Sequence, residues 1–320
     1  MLFKSVDRSD CRIVSRSSLS AVALFFVVSL SMAPATAEPL SEQKTLLGDP
    51  LRTPSWPADY RRKLELDLEI ARAGFDVAPD REDSYIWLGR RYGYLGRNSE
   101  AIEIFSQGIE KFPASYKLHR FRGRHRARNR DFEGAIADYK DGLAKMDGTP
   151  DSFEPDGAPN SIGLTISTYR SNLHYYLGQT SFAIGDYNQM IDQLELSTQS
   201  PIALPIRDHE VAVVFWQYIA MKKLGLDADA ATHLAQIPEK LDLIENHFYH
   251  KAVKVLQGHI SAKEALEKGD SLSKFALGMK HQFNGDREGS EKVLRAIVKD
   301  NALGYWPAEV ELMRMKNDDK

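Results

Sequence analysis

Cysteine is nearly missing from this chain of 320 residues: the only one is Cys11. It stands before the first apolar run, whereas a lipid-bearing cysteine would follow one. If the leader described below is removed, the mature chain carries no thiol. That excludes disulfides, thiolate metal sites and cysteine nucleophiles. Long apolar runs are missing too. The stretch AVALFFVVSLSM, Ala21 to Met32, is too short to span a bilayer comfortably. Neither sign of charge dominates: 42 Lys and Arg face 45 Asp and Glu, a net −3. This argues against a generally nucleic-acid-binding protein and makes any basic site a local one. Catalytic signatures are also absent: no P-loop, no G-x-G-x-x-G after a strand, no H-E-x-x-H and no G-x-S-x-G. His247 and His250 have a spacing that a metal could use, but no third ligand is evident, so a structural pair is the simpler reading. No cofactor and no metal is implied.

What is present begins with an export signal. Lys4, Arg8, Arg12 and Arg16 form a positive region, the apolar core follows, and ATA (Ala35 to Ala37) supplies small residues for cleavage. Cleavage is expected after Ala37, which makes the protein periplasmic or secreted. An uncleaved anchor is the competing reading. Asp7 and Asp10 argue against a mitochondrial transit peptide.

The rest of the chain repeats. In DSYIWLGRRYGYLGRNSEAIEIFSQGIEKFP (Asp83 to Pro113), Tyr85, Leu88 and Tyr92 fall on one stripe of a helix. Gly96 can end that helix, because glycine accepts the left-handed cap conformation. Ala101 and Phe105 mark the inner face of a second helix. Gly89, Ala101 and Gly108 are small enough for close helix contact, and Pro113 stops the unit. Gly123, Ala135, Tyr139 and Gly142 repeat the frame in Ser115 to Met146. Weaker copies start near Ser171 (Leu177, Gly178, Gly185, Tyr187), near Val211 (Tyr218, Gly225, Ala230) and near Ser271 (Leu277, Gly278, Gly285, Leu294).

These residues resemble the tetratricopeptide repeat (TPR) family, whose unit is about 34 residues long. The resemblance implies an all-α, right-handed superhelical solenoid of antiparallel helix pairs. The frame divides the chain into a leader (1–37), an extended N-terminal segment (38–56), an N-terminal capping helix (57–81), units one and two (82–149) and a loop (150–168). Units three and four (169–238), a helical hairpin poor in repeat markers (239–269), unit five (270–303) and a C-terminal capping helix with its tail (304–320) complete it. Solenoid ends need caps because a terminal unit otherwise exposes an apolar face.

Within unit two, HRFRGRHRARNRD (His119 to Asp131) places arginine at every second position. On a helix this gives two stripes on nearly opposite faces. One is Arg120, Arg124 and Arg128, preceded by Lys117; the other is Arg122, Arg126 and Arg130. The resemblance implies that the first helix of each unit lines a concave groove. By repeat position, Lys117, Arg120, Arg124 and Arg128 then face it. So do Trp87, Arg90 and Tyr94 of unit one, and Asn172, Tyr175, Tyr176 and Gln179 of unit three. Clustered guanidinium groups in such a groove suit carboxylates or phosphates. The alternative is a solvated basic face balanced by Glu133, Asp138, Asp141, Asp151, Glu154 or Asp156. The Arg122 and Arg126 stems either cover apolar surface or pair with Glu103, Glu110 or Asp138; the sequence leaves this open.

The resemblance thus implies a non-enzymatic scaffold or adaptor of the cell envelope that binds partner proteins or acidic peptide segments. The competing class is a solenoid enzyme or a saccharide- or anion-binding protein. Asp83 near the groove rim has no obvious acidic partner for acid–base work. Nucleic acid is not an expected partner, nor is the membrane once the leader is gone. Self-association is left open.

Overall fold

A computed structural model describes residues 39–318 apart from Ser161. The expected leader and its cleavage point lie outside these residues. The segment expected to be extended forms an antiparallel hairpin of β1 (Pro39–Lys44) and β2 (Pro50–Arg52). Helices follow: α1 (Ala58–Val77), then the pairs α2 (Glu82–Tyr94) with α3 (Asn98–Lys111) and α4 (Tyr116–Arg128) with α5 (Phe132–Lys145). Next come α6 (Tyr169–Ile184) with α7 (Tyr187–Leu196), and α8 (Asp208–Lys223) with α9 (Asp227–Leu234). Two short helices, α10 (His247–Gln257) and α11 (Ala262–Lys268), lead to α12 (Ser271–Phe283) with α13 (Arg287–Asp300) and finally α14 (Trp306–Asp318). The chain is an all-α solenoid of the TPR kind.

One contact recurs in four of the pairs. A glycine on the first helix receives a bulky side chain sixteen positions later on the second. A Cβ at Gly89 would lie 2.5 Å from the Phe105 ring, at Gly123 2.7 Å from Tyr139, and at Gly178 and Gly278 2.9 Å from Leu194 and Leu294. The absence of a side chain lets the two backbones approach, and the ring or leucine fills the seam. In the fourth pair Tyr218 stands at the glycine position, and its second helix, α9, is the shortest of the five. A main core runs through the pairs, and a smaller one joins Leu64 and Leu68 of α1 to Leu88 and Leu95.

Seven positions after each of these five positions, Tyr218 included, the chain turns left-handed. Gly96, Gly185, Gly225 and Gly285 have φ of 75–79°. In unit two the residue is Arg130, at φ 67°, where an L side chain costs roughly 1–2 kcal/mol. Its guanidinium offsets that cost by gripping the far end of the chain. Nε and Nη2 donate to the two oxygens of Glu309, at 3.0 and 2.5 Å, and Nη2 also reaches the Leu303 carbonyl at 3.1 Å.

Glu309 belongs to α14, and this helix does more than cap unit five. It packs on α13 and also lies against α6. Glu309 and Glu311 are both fully buried. Glu311 pairs with Lys223 of α8 at 2.5 Å and with Arg314 at 2.5 Å. Arg314 in turn donates to the Phe182 and Ala183 carbonyls of α6. Trp306 stacks 5.3 Å from Phe132 and 6.3 Å from Phe182. The N-terminal hairpin joins this junction: Leu46 N donates to Glu309 Oε2 at 2.9 Å and Arg52 N to the Ala302 carbonyl at 2.7 Å.

The hairpin expected over 239–269 is not formed as a packed pair: α10 packs on α12 and α8 while α11 packs on α12, and residues 239–246 are irregular. The buried Asp208 carboxylate holds them, accepting from the backbone N–H of Ile244 (2.8 Å), Glu245 (2.7 Å) and Asn246 (3.1 Å).

Glu309→Gln leaves the Arg130 guanidinium buried without its counter-charge. Breaking such a pair from one side costs about 3–5 kcal/mol. Chemical denaturation of the variant is expected to show a lower midpoint and a loss of that size. An unchanged midpoint would show that the junction contributes nothing to stability.

Candidate functional site

A cavity of about 830 Å³ lies against the first helices of units one to four, with contributions from the α5–α6 loop, Tyr249 of α10 and Trp306 of α14. Eight of the ten residues expected to line a groove meet it: Arg90, Tyr94, Arg120, Arg124, Arg128, Asn172, Tyr176 and Gln179, together with Tyr175. Trp87 and Lys117 are not among its lining residues. Trp87 is half-buried beneath the Arg90 guanidinium, 4.6 Å from its ring centroid. Lys117 turns toward Glu82, at 3.4 Å, because that carboxylate sits at the start of α2 within its reach.

The six arginines divide by partner. Arg120 is 2% exposed, so it is not part of a solvated face. Its Nε lies 2.7 Å from Glu154 Oε2, and its guanidinium stacks over Tyr176 at 4.6 Å. Burial opposes the Arg120 charge, but Glu154 and the surrounding tyrosines outweigh it, and the pKa is raised. Arg122 and Arg126 face the other way and share Asp138 of α5. Arg122 donates from Nε at 3.0 Å and Nη2 at 2.7 Å, and Arg126 Nη1 lies 3.1 Å from the same carboxylate. His119 Nδ1 lies 3.1 Å from it as well. Of the readings left open for this stripe, pairing with Asp138 is the one realised. Arg130 serves Glu309. Among the described residues, no carboxylate lies within ion-pairing distance of Arg124 or Arg128, and both line the cavity.

The loop after α5 was expected only as a connection between units. It folds into the groove. Glu154 is 5% exposed and also accepts from Asn172 Nδ2 at 3.0 Å. Its backbone N–H donates to the Ser167 carbonyl at 2.9 Å, beside a bridge between Phe153 and Thr168. Arg90 donates to the Pro155 carbonyl at 2.7 Å and Arg91 to the Gly157 carbonyl at 2.9 Å. Gly157 permits this approach, since a Cβ there would collide with the Tyr94 hydroxyl. Burial, and then Glu245, push the nearby Asp156 carboxyl above its ordinary pKa.

Tyr249 and Trp306 line the cavity from outside the repeat frame. Tyr249 comes from α10, in the segment that lacks repeat markers. Its hydroxyl receives Tyr175 OH at 2.6 Å, Trp216 Nε1 at 3.1 Å and Gln179 Nε2 at 3.4 Å. Tyr139 was legible as a core position but not as a cavity wall.

Electrostatics single out the Arg124–Arg128 end. Arg124, and then burial, push the Arg128 guanidinium down to about 9, so it remains charged at neutral pH. Burial would raise the Tyr176 phenol, but Arg124, Arg120 and Arg128 outweigh it and pull it below its ordinary value. His125 is 3% exposed and is held neutral by burial first and by Arg128 and Arg124 next. Its Nδ1 lies 2.9 Å from Asn98 Oδ1.

His209 and His250 are held by neighbouring protein groups. His209 Nε2 lies 2.8 Å from Ser197 Oγ, and burial pushes the ring down to about 4. Ser197 Oγ is buried and donates to the Leu194 carbonyl at 2.6 Å. No carboxylate among the described residues orients this imidazole as an activated nucleophile's base requires. His250 Nε2 faces the Pro238 carbonyl at 2.9 Å. No group of three or more His, Cys, Asp or Glu among the described residues could hold a metal.

Stability should fall in mild acid. The unfolded chain protonates His125 and His209 below about pH 6.5, whereas the folded chain resists until much lower pH. Each contributes a slope of about 1.4 kcal/mol per pH unit below that point. Asp138 adds nothing in this window. Burial would raise it, but His119 and Arg122 hold it below its ordinary value, so it is ionised in both states. Melting temperatures between pH 7.5 and 5 are expected to drop below pH 6.5, and His125→Gln is expected to flatten the drop. A flat profile for the unmodified chain would contradict the neutral, buried state of these rings.

No family model and no curated protein matches the chain. Solved structures do align with it. YrrB, described as a TPR protein with an unusual peptide-binding site, is 10% identical with a TM-score of 0.40; the alignment covers 71% of this chain and 90% of YrrB. A putative kinesin light chain of Podospora anserina with nearly identical TPR-like repeats is 16% identical with a TM-score of 0.41, covering 76% of this chain and 99% of that one. The APC/C hetero-tetramer Cut9-Hcn1 is 13% identical with a TM-score of 0.45, covering 73% of this chain and 39% of that one. The helix pairs, their recurring glycine seams and their left-handed turns make this chain a TPR-like helical solenoid.

Proposed function

We propose that the protein is a non-enzymatic interaction scaffold of the cell envelope, exported to the periplasm or beyond, which holds an acidic segment of a partner protein in its cavity. The observation that supports this most is the chain's own loop. An extended stretch with a carboxylate already lies in the groove, its backbone carbonyls held by Arg90 and Arg91 and its Glu154 side chain by Arg120 and Asn172. The same wall continues to Arg124 and Arg128, flanked by Tyr94 and Tyr176. A partner's acidic residues would meet two cations there without displacing an internal carboxylate.

Charge reversal must spare Arg120, whose burial against Glu154 makes it part of the fold. In the double variant Arg124→Glu/Arg128→Glu, binding of a labelled Glu-rich peptide is expected to weaken by roughly tenfold or more, about 1.4 kcal/mol. Binding to the unaltered chain is expected to fall as salt rises, because exposed charges are screened. Circular dichroism is expected to stay helical in the variant. Equal peptide affinity in both proteins would overturn the proposed groove.

Export has its own test. N-terminal sequencing of the protein recovered from the extracytoplasmic fraction is expected to begin at Glu38. A mature chain that retains Met1 would favour an anchor instead.

A further inference from the structure

The cavity contains more unused hydrogen-bonding capacity than an acidic peptide side chain needs. Arg124 and Arg128 are an i, i+4 pair on α4, so their side chains stand one above the other on the cavity wall. Of the cavity-lining residues, Arg120 Nη1 and the Tyr139 hydroxyl are buried donors with no hydrogen-bond partner among the described residues, and Asp156 Oδ2, Gln217 Oε1 and His233 Nε2 are buried without one as well. Arg120 is 2% and Tyr139 0% exposed, and both line the cavity. A buried donor left without an acceptor is unfavourable, and an acceptor that reaches it is correspondingly favoured.

We propose that Arg124, Arg128, Arg120 Nη1 and the Tyr139 hydroxyl together form a binding site for a phosphate monoester dianion. The proposal rests on the cavity being the binding surface and adds the chemical class of the group bound there. Charge is the first reason. Glu154 neutralises Arg120, which leaves the Arg124–Arg128 end with two positive charges. A single carboxylate would balance one of them; a phosphate monoester, with its second pKa near 6, balances both at neutral pH. The number of donors is the second reason. Two guanidinium forks, a third N–H and a hydroxyl exceed what the two oxygens of a carboxylate accept, and suit the three terminal oxygens of a phosphoryl group. Segregation of charge is the third. Glu154 is held at the Arg120 turn of the helix, and Asp156 sits by Arg90 and Glu245. Arg128 is eight residues on from Arg120, about 12 Å along the axis. Glu154 thus lies toward the Arg120 turn of α4, and Arg128 stands about two turns further along it. Tyr94 and Tyr176 flank those cations, with the Arg124 guanidinium 5.5 Å from the Tyr176 ring centroid.

Calorimetric titration of the full mature chain at pH 7.5 and fixed ionic strength tests this, with methyl phosphate, dimethyl phosphate and acetate as probes. Methyl phosphate is expected to bind at one site. Dimethyl phosphate and acetate, each with a single charge, are expected to bind at least tenfold more weakly. Arg124→Gln and Arg128→Gln are each expected to weaken methyl phosphate at least tenfold. Without ligand, Arg128→Gln is expected to melt no lower than the parent, since it removes a repelled charge; methyl phosphate is then expected to raise the melting temperature of the parent only. A phosphoserine peptide that binds tenfold more tightly than methyl phosphate assigns the group to a partner segment, and equal affinities assign it to a small molecule. Equal binding of methyl and dimethyl phosphate, or an affinity that survives both substitutions, would overturn the site. A Glu-rich peptide that binds while methyl phosphate does not would also overturn it, and would leave the scaffold reading standing.

Discussion

A guanidinium group leaves water at low cost only when an anion leaves with it. The segment from His119 to Asp131 carries six arginines, and much of the structure follows from where their anions come from. Asp138 serves one face of α4, Glu154 the other and Glu309 the turn at its end. Each pairing closes a different distance along the chain. Asp138 sits on the companion helix, Glu154 on the loop that follows it, and Glu309 lies 179 positions away from Arg130. The arginines of unit two therefore position the parts of the protein that are not repeats.

Two kinds of force thus operate in parallel. The helix pairs are built by the fit of a glycine against a ring or leucine, a contact of short sequence range that recurs with the repeat. The irregular segments are fixed by charge and by backbone groups. Glu154 draws the α5–α6 loop into the groove, Asp208 gathers residues 244–246, and Glu309 with Glu311 seats α14 against helices of three earlier units. Arg130 shows the two forces competing at one residue. A left-handed turn favours glycine, yet arginine stands there and is held by Glu309 and the Leu303 carbonyl.

The cavity results from the same division. Arg120, Arg122, Arg126 and Arg130 have carboxylates and support the fold. Arg124 and Arg128 are on the same helix, chemically identical to the others, and have none among the described residues. Arg124, and then burial, push the Arg128 guanidinium down, and the neighbouring cations pull the Tyr176 phenol below its ordinary value.

The sequence by itself determined the helix pairs of the repeat units and most of the face that the first helices of units one to three present. These follow from spacings of three, four and seven residues, and such spacings act within one helix or between neighbours. It also placed Arg90, Tyr94, Arg120, Arg124, Arg128, Asn172, Tyr176 and Gln179 on one surface, because residues at equivalent repeat positions stack in register. It could not tell which arginines would be neutralised. Glu133, Asp141 and Asp151 were as plausible as Asp138 and Glu154 until the distances between helices and loop were fixed. Nor could it show that Lys117 turns to Glu82, that Tyr249 enters from a helix without repeat markers, or that α14 returns to units two, three and four. Those contacts join residues with no periodic relation, so only the tertiary structure decided them.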